Sequence, residues 1–312
     1  MSTAFTFPGQ GSQSTGMGKD LADAFPQARA VFDEVDDALG QKLSAIMWDG
    51  PEDELLLTAN AQPALMAVSM AVMRALEAGG FKLQDSVAYV AGHSLGEYSA
   101  LAAAGSLSIA DTARLLRIRG NAMQAAVPVG MGAMAAIIGL EQELVEGLCR
   151  DAAAKGGICQ IANDNGGGQL VISGNKENVE DAVTQASALG AKRALMLSVS
   201  APFHSELMQP AADAMREALA DVRLLAPAVP LVANITASPV REPSDIVDLL
   251  VRQVTGQVRW RETISWFAEN GVTQACEIGA GKVLTGLARR IDRSISGTPL
   301  NNPQDIEKYL AD

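Results

Sequence analysis

The stretch Val87-Ala88-Tyr89-Val90-Ala91-Gly92-His93-Ser94-Leu95-Gly96-Glu97 constrains the fold more than any other in this chain. Val87 to Ala91 is apolar or small with a β-former every second place, so it reads as a short buried strand. Gly92-His93-Ser94-Leu95-Gly96 follows at once and matches G-x-S-x-G. Glu97 to Ala104 is then rich in helix formers until Gly105 offers a stop. The five-residue pattern alone is met by ordinary strand-to-helix turns that carry a serine. Strand, tight turn and helix in immediate succession make it a nucleophile elbow. The glycines follow from packing, because a sharp turn between strand and helix leaves no room for Cβ atoms. Such an elbow points the Ser94 hydroxyl out of the sheet. It also sets the Leu95 N–H at the positive end of a helix, where it can hold an oxyanion.

What surrounds the elbow narrows the chemistry. With 312 residues, 48% apolar and 19% charged, the chain has material for one large domain or two ordinary ones. A net charge of −12 argues against nucleic acid and anionic membrane as partners. No signal peptide precedes the first strand, and the longest apolar run, Ala64 to Met73, is too short to span a bilayer. Cys149, Cys159 and Cys276 lack C-x-x-C spacing, which points to free thiols and a cytoplasmic setting. No cluster of metal ligands is evident, so no metal is expected.

In chain order, Thr3 to Phe7 is a strand ended by Pro8. Gly11 and Gly16 have Walker A spacing, but Met17 stands where that motif needs lysine, which rejects a phosphate loop. Helices are expected from Asp20 to about Leu39, after Pro51, from Ala61 to Ala78 with Asn60 as cap, and from Ile109 to Ala126. Composition shifts at Val127-Pro128-Val129-Gly130. Beyond it come strand Ala133 to Ile138, helix Glu141 to Lys155, strands Ile158 to Ala162 and Gln169 to Ser173, helix Glu177 to Leu189 and strand Arg193 to Val199. That β-α-β-β-α-β order is the ferredoxin-like pattern. The α/β rhythm then resumes with a helix from Ser205, a strand at Leu231 to Ile235 and a helix at Ser244 to Val254. Helix Arg261 to Glu269, strand Thr273 to Ile278 and helix Val283 to Ile291 complete it. The expected fold is α/β: a hydrolase-like core with a mostly parallel sheet, residues 1–127 and 201–312, and an inserted ferredoxin-like subdomain, residues 128–200.

Only two histidines are available to activate Ser94. His93 adjoins the serine, and neighbouring side chains in a turn diverge. His204, in the loop Ser200-Ala201-Pro202-Phe203-His204-Ser205 after a strand, is the expected general base. No aspartate between Ser94 and His204 stands at a convincing strand end, so a dyad with a carbonyl orienting His204 is at least as good a reading as a triad. Arg117 and Arg119 point roughly 200° apart on their helix, so both cannot face solvent comfortably. Position alone does not say which one turns inward.

Taken together, several strings resemble the malonyl-CoA:acyl-carrier-protein transacylases of bacterial fatty acid synthesis and the acyltransferase domains of polyketide synthases. They are Phe7 to Gln13, Gln62-Pro63-Ala64, Gly92 to Glu97, Arg119-Gly120 before Met123, and Ala201 to His204 with Met208. Gln253 upstream of Val258-Arg259-Trp260, Glu277-Ile278-Gly279 and Gly281 to Leu284 complete the set. The resemblance implies transfer of malonyl from malonyl-CoA to the phosphopantetheine thiol of acyl carrier protein, through an acyl-serine and without a bound cofactor. Ser94 then corresponds to the nucleophile and His204 to the base; Leu95 and Gln10 supply oxyanion N–H groups. Arg119 grips the malonyl carboxylate, and the Gln253 segment orients the histidine. Asn163 corresponds to a hydrogen-bond partner behind the site, and Phe203 to the residue of malonyl-selective polyketide enzymes. Ala280 departs from the pattern, relatives often having proline there. A monomer is expected, with neither nucleic acid nor membrane as a partner. A polyketide or malonate decarboxylase carrier, or a serine thioesterase activity, is the alternative. A cation-rich stretch, Lys282, Arg289, Arg290 and Arg293, is a candidate docking surface for an acidic carrier.

Overall fold

A computed structural model describes residues 2–199 and 201–311. Ser200, at the start of the histidine loop and the end of the expected insertion, lies outside them. Ten strands form two sheets: β1 (Ser2–Phe7), β2 (Tyr89–Gly92), β3 (Gly132–Ile138), β4 (Cys159–Asp164), β5 (Gln169–Asn175), β6 (Arg193–Met196), β7 (Leu231–Ala233), β8 (Ser238–Val240), β9 (Val272–Ile278) and β10 (Ser296–Leu300). The larger sheet has the order β10-β9-β1-β2-β7-β8, parallel throughout except for the β7–β8 hairpin. β1 and β2 run through its middle, with apolar residues such as Phe5, Phe7, Val90 and Ala91 fully buried between helices. The smaller sheet, β4-β5-β3-β6, is antiparallel. Its strands are interleaved with helices Gln142–Ala153 and Lys176–Ala188, the ferredoxin-like arrangement expected from the sequence.

The smaller sheet packs its helices over a separate apolar cluster that includes Ile137, Val145, Leu148, Ile172 and Val179. It meets the rest of the molecule where Asn163 bridges Val258 and where Val258 N–H donates to Ala162 O at 2.8 Å. Cys149, Cys159 and Cys276 are free and buried. No helix among the described residues is long and apolar enough to cross a membrane.

Four local expectations are corrected. The helix drawn from Asp20 to Leu39 is two, Lys19–Ala24 and Pro26–Leu39, because Phe25 before Pro26 takes an extended conformation, φ −126°. Asn60 does not cap its helix. The helix is Thr58–Ala78, and the Asn60 side chain instead donates back to Glu54 O at 2.8 Å. The strand drawn to Val199 stops at Met196 on β6, an edge strand, although Leu197 N–H still donates to Met134 O of β3 at 2.9 Å. The strand of the elbow is Tyr89–Gly92, so Val87 and Ala88 lead into it.

Candidate active site

β2 delivers the chain to Gly92 at the centre of the larger sheet, and helix Gly96–Ala103 leaves at once. A Cβ on Gly92 would lie 1.9 Å from the Gly96 carbonyl carbon, and one on Gly96 would lie 2.2 Å from Phe7 O. Backbone therefore packs on backbone on both sides of the turn, and Ser94 between them is forced to φ 54°. Asn234, just past β7, braces this strained residue. Its Oδ1 accepts Ser94 N–H at 2.8 Å and its Nδ2 donates to Gly92 O at 2.7 Å. Asn234 N–H in turn donates to Glu97 Oε1 at 2.7 Å.

The Ser94 hydroxyl lies 2.8 Å from His204 Nε2. On the far side of the ring, Nδ1 stands 2.9 Å from Gln253 O and 3.1 Å from Gly256 O. Both are carbonyls, so Nδ1 carries the proton and the Nε2 lone pair faces the serine. No carboxylate among the described residues hydrogen-bonds the ring. Burial, and then the nearby Arg119 charge, push the His204 pKa down to about 3, which leaves the ring neutral at pH 7. The histidine loop is tied down from the smaller sheet: Gln160 Nε2 donates to Thr255 O at 3.2 Å and to His204 O at 3.4 Å. Gln160 Oε1 accepts Glu206 N–H at 3.1 Å.

Of the three arginines on helix Ile109–Ala125, Arg119 is the one that turns inward, 1% exposed. Arg114 pairs with Asp111 at the surface, and Arg117 donates to Ala59 O and Asn60 Oδ1. Arg119 Nη1 donates to Gln62 Oε1 at 2.7 Å; Nη2 donates to Gln253 Oε1 at 2.7 Å and to the Ser94 hydroxyl at 3.1 Å. Its guanidinium also lies over the Tyr98 ring, 5.8 Å from the centroid. A buried cation thus touches the same oxygen as the histidine. The opposite end of the Gln253 amide meets buried Glu97, whose Oε2 accepts Gln253 Nε2. Burial pushes the Glu97 carboxyl up to about 7, against the pull of Asn234, Gln253 and Arg119.

These groups open on a cleft of about 670 Å³. Gln10, Leu95, Phe203 and Asn163 all line it, with Met123 and Met134 on the apolar side. The backbone N–H groups of Leu95 and Gln10 have no acceptor among the described residues. The Gln10 side chain is held by Thr58, whose hydroxyl donates to Oε1 at 2.9 Å. Asn163 lines the cleft and makes no side-chain hydrogen bond to the described residues. Asn165 Oδ1 holds His93 Nε2 at 2.9 Å, with Trp260 against the same ring. His93 faces away from Ser94, as an adjacent residue in a turn must. No group of three potential metal ligands occurs among the described residues.

Sequence reasoning singled out the two reactive side chains, the arginine and the oxyanion candidates. It gave no role to Asn234, Gln62, Gln160 or Glu97, although Gln62 and Glu97 stand in the strings that carry the resemblance. The one available signal was Glu97 itself, a carboxylate in the first turn of a helix that starts in the core.

The geometry brings a serine hydroxyl, a neutral histidine and a buried arginine together at one oxygen. The acyl transferase domain profile matches residues 4–299. The malonyl CoA-acyl carrier protein transacylase of Bacillus subtilis (strain 168) is 45% identical over 97% of this chain and 95% of its own length. Its counterpart from Escherichia coli (strain K12) is 46% identical over 98% of each chain. The crystal structure of the acyl-carrier-protein-S-malonyltransferase from Bartonella henselae is 62% identical and superposes with a TM-score of 0.98, covering 100% of this chain and 99% of that one. The chain belongs to the acyl transferase domain family, among the malonyl CoA-acyl carrier protein transacylases.

Proposed function

We propose that the chain transfers malonyl from malonyl-CoA to the phosphopantetheine thiol of acyl carrier protein for fatty acid synthesis, by a ping-pong reaction through malonyl-Ser94. Ser94 Oγ attacks the thioester carbonyl while His204 Nε2 takes the hydroxyl proton. The Leu95 and Gln10 N–H groups receive the oxyanion. On collapse the C–S bond breaks, and the proton on His204 passes to the departing CoA sulfur. The carrier thiol then gives its proton to His204 and attacks malonyl-Ser94, and the proton returns to Ser94 Oγ as the new thioester forms. Arg119 pairs with the free malonyl carboxylate, which a thioesterase for simple acyl groups would not require. The chemistry calls on no cofactor of the enzyme beyond the pantetheine arm its partner carries.

The observation that carries this reading is the convergence of His204 Nε2 and Arg119 Nη2 on one hydroxyl, at 2.8 and 3.1 Å. We further propose that residues 1–127 and 201–312 form the catalytic core and 128–200 a smaller subdomain, which the separate apolar cluster of the smaller sheet supports. A cytoplasmic place of action fits the three free thiols. The test is acylation with labelled malonyl-CoA followed by peptide mapping. The label should sit on Ser94 and be absent from a folded Ser94→Ala variant. Label accumulating on another residue of that variant would overturn the assignment.

A further inference from the structure

Arg119 is fully buried, yet it forms no direct ion pair among the described residues. Neutral amides hold it on two sides, Gln62 and Gln253. An amide can present oxygen or nitrogen to a neighbour at almost equal steric cost, so something must fix which end faces the arginine. Arg119 is donor-only and requires oxygen from both.

The two sides end differently. Gln62 Nε2 donates to Thr58 Oγ1 at 2.9 Å, and that hydroxyl donates to Gln10 Oε1 at 2.9 Å. This row terminates in the amide of an exposed glutamine, a group that can itself rotate. The other row terminates at Glu97. Its two oxygens accept Asn234 N–H and Gln253 Nε2, and Gln253 Nε2 also donates to Ser94 O at 2.9 Å. In its ionised form, buried Glu97 accepts from both sides and, with the Ser94 carbonyl, leaves Gln253 one orientation, nitrogen toward Glu97 and oxygen toward Arg119.

We infer that Glu97 is a positioning residue for malonyl selectivity: by fixing the Gln253 amide it holds Arg119 in the orientation that receives the acyl carboxylate. The inference rests on the malonyl-transfer reading above and deepens it. A competing role is available, because Glu97 also braces the Ser94 turn through Asn234. Bracing alone would serve every acyl group equally, whereas aiming Arg119 serves only those with a carboxylate. The two roles separate in a ratio.

The experiment measures kcat/KM for acylation of Ser94 by malonyl-CoA and by acetyl-CoA. In Glu97→Gln, the new amide can still accept Asn234 N–H but turns a donor toward Gln253 Nε2. Gln253 then either loses that bond or flips and points nitrogen at Arg119. The malonyl-to-acetyl ratio should fall about tenfold or more, the usual effect of one mispaired buried polar contact. Equal losses for both acyl groups in Glu97→Gln would overturn the inference. Should Glu97→Gln not fold, Gln253→Met cuts the relay with Glu97 in place, and an unchanged ratio there would overturn it as well. A parent enzyme that is not acylated by malonyl-CoA at all would instead remove the function on which the inference stands.

Discussion

Ser94 and His204 both occupy the left-handed region, at φ 54° and 56°, and Ala237 is the only other non-glycine residue to do so among those described. Each such position costs on the order of 1–3 kcal/mol, and here the two strained residues are the two whose side chains meet. The strain aims both groups before substrate arrives. It comes with burial, which determines how the site answers to pH. A histidine whose folded pKa is lowered to about 3 stays an unprotonated base well below the free imidazole value of 6.5. The acid limb of kcat/KM for malonyl-CoA acylation should therefore lie below pH 6. A pH profile with an apparent pKa at or above 6.5 would contradict it. Stability carries the opposite mark of the same shift. As pH falls below 6.5, the unfolded chain takes up a proton that folded His204 refuses, so stability drops by about 1.4 kcal/mol per pH unit until the folded pKa is reached. Urea titrations at pH 6.5 and 5 should show a steeper slope in the parent than in His204→Gln, the part that remains including buried His93, whose pKa burial also lowers. His204 was legible in the sequence because a chain with two histidines leaves little choice. The roles of Gln62, Gln160 and Asn234 were not. Neutral amides occur throughout any surface, and only the fold reveals which of them face an arginine, a loop carbonyl or a strained serine.

At the scale of elements, the elbow works because helix Gly96–Ala103 lies directly against β1. Gly96→Ala would place a methyl 2.2 Å from Phe7 O, in the backbone of a central strand that cannot yield. Overpacking of that kind costs about 1–3 kcal/mol or more, and it displaces the Ser94 turn itself. The variant should lose both urea stability and acylation rate. Gly105→Ala at the far end of the same segment, where no atom lies within 4 Å of the new Cβ, meets only the φ 74° backbone cost and should leave acylation intact. An unaltered urea midpoint in Gly96→Ala would show that the contact is not as rigid as drawn. Most helices and the alternating strands were legible, since their apolar spacing is what buries them. β10 was not, because Gly297 and Pro299 interrupt Ser296–Leu300 and give it the look of a loop. Its position explains the tolerance: it is an edge strand paired only to β9, where proline leaves no ladder bond unmade on the solvent side. Helix Pro303–Ala311 was likewise not expected. It packs through Ile306 against the core, a contact that only the assembled sheet provides.

At the scale of the molecule, the cleft is walled by both sheets. Met134, Val171 and Leu197 reach it from the smaller one, and Val283, Leu284 and Leu287 from helix Val283–Ile291 of the larger. That helix runs about 12 Å from the cleft mouth to its end, where Arg289 and Arg290 occupy its last turn and Arg293 follows. These three arginines share a surface hollow with Gly167 from the glycine turn of the smaller sheet, and none forms an ion pair among the described residues. On a chain of net charge −12, such a free cationic group beside the entrance stands out against its surroundings. Two explanations make different forecasts. Cations at a helix C-terminus complement its dipole, and reversing them would then lower stability and touch nothing else. If they steer an acidic carrier protein instead, they act on association, and salt screens them. Arg289→Glu/Arg290→Glu should then raise the KM for acyl carrier protein severalfold at low salt, less at high salt, and leave acylation by malonyl-CoA at the parent rate. The exposed Val283 at the mouth, 49% accessible, gives the carrier an apolar landing point between this charge and Ser94. A carrier KM unchanged at low salt, with only the melting temperature lowered, would assign the arginines to their helix and move the docking surface to Lys192 and Arg193.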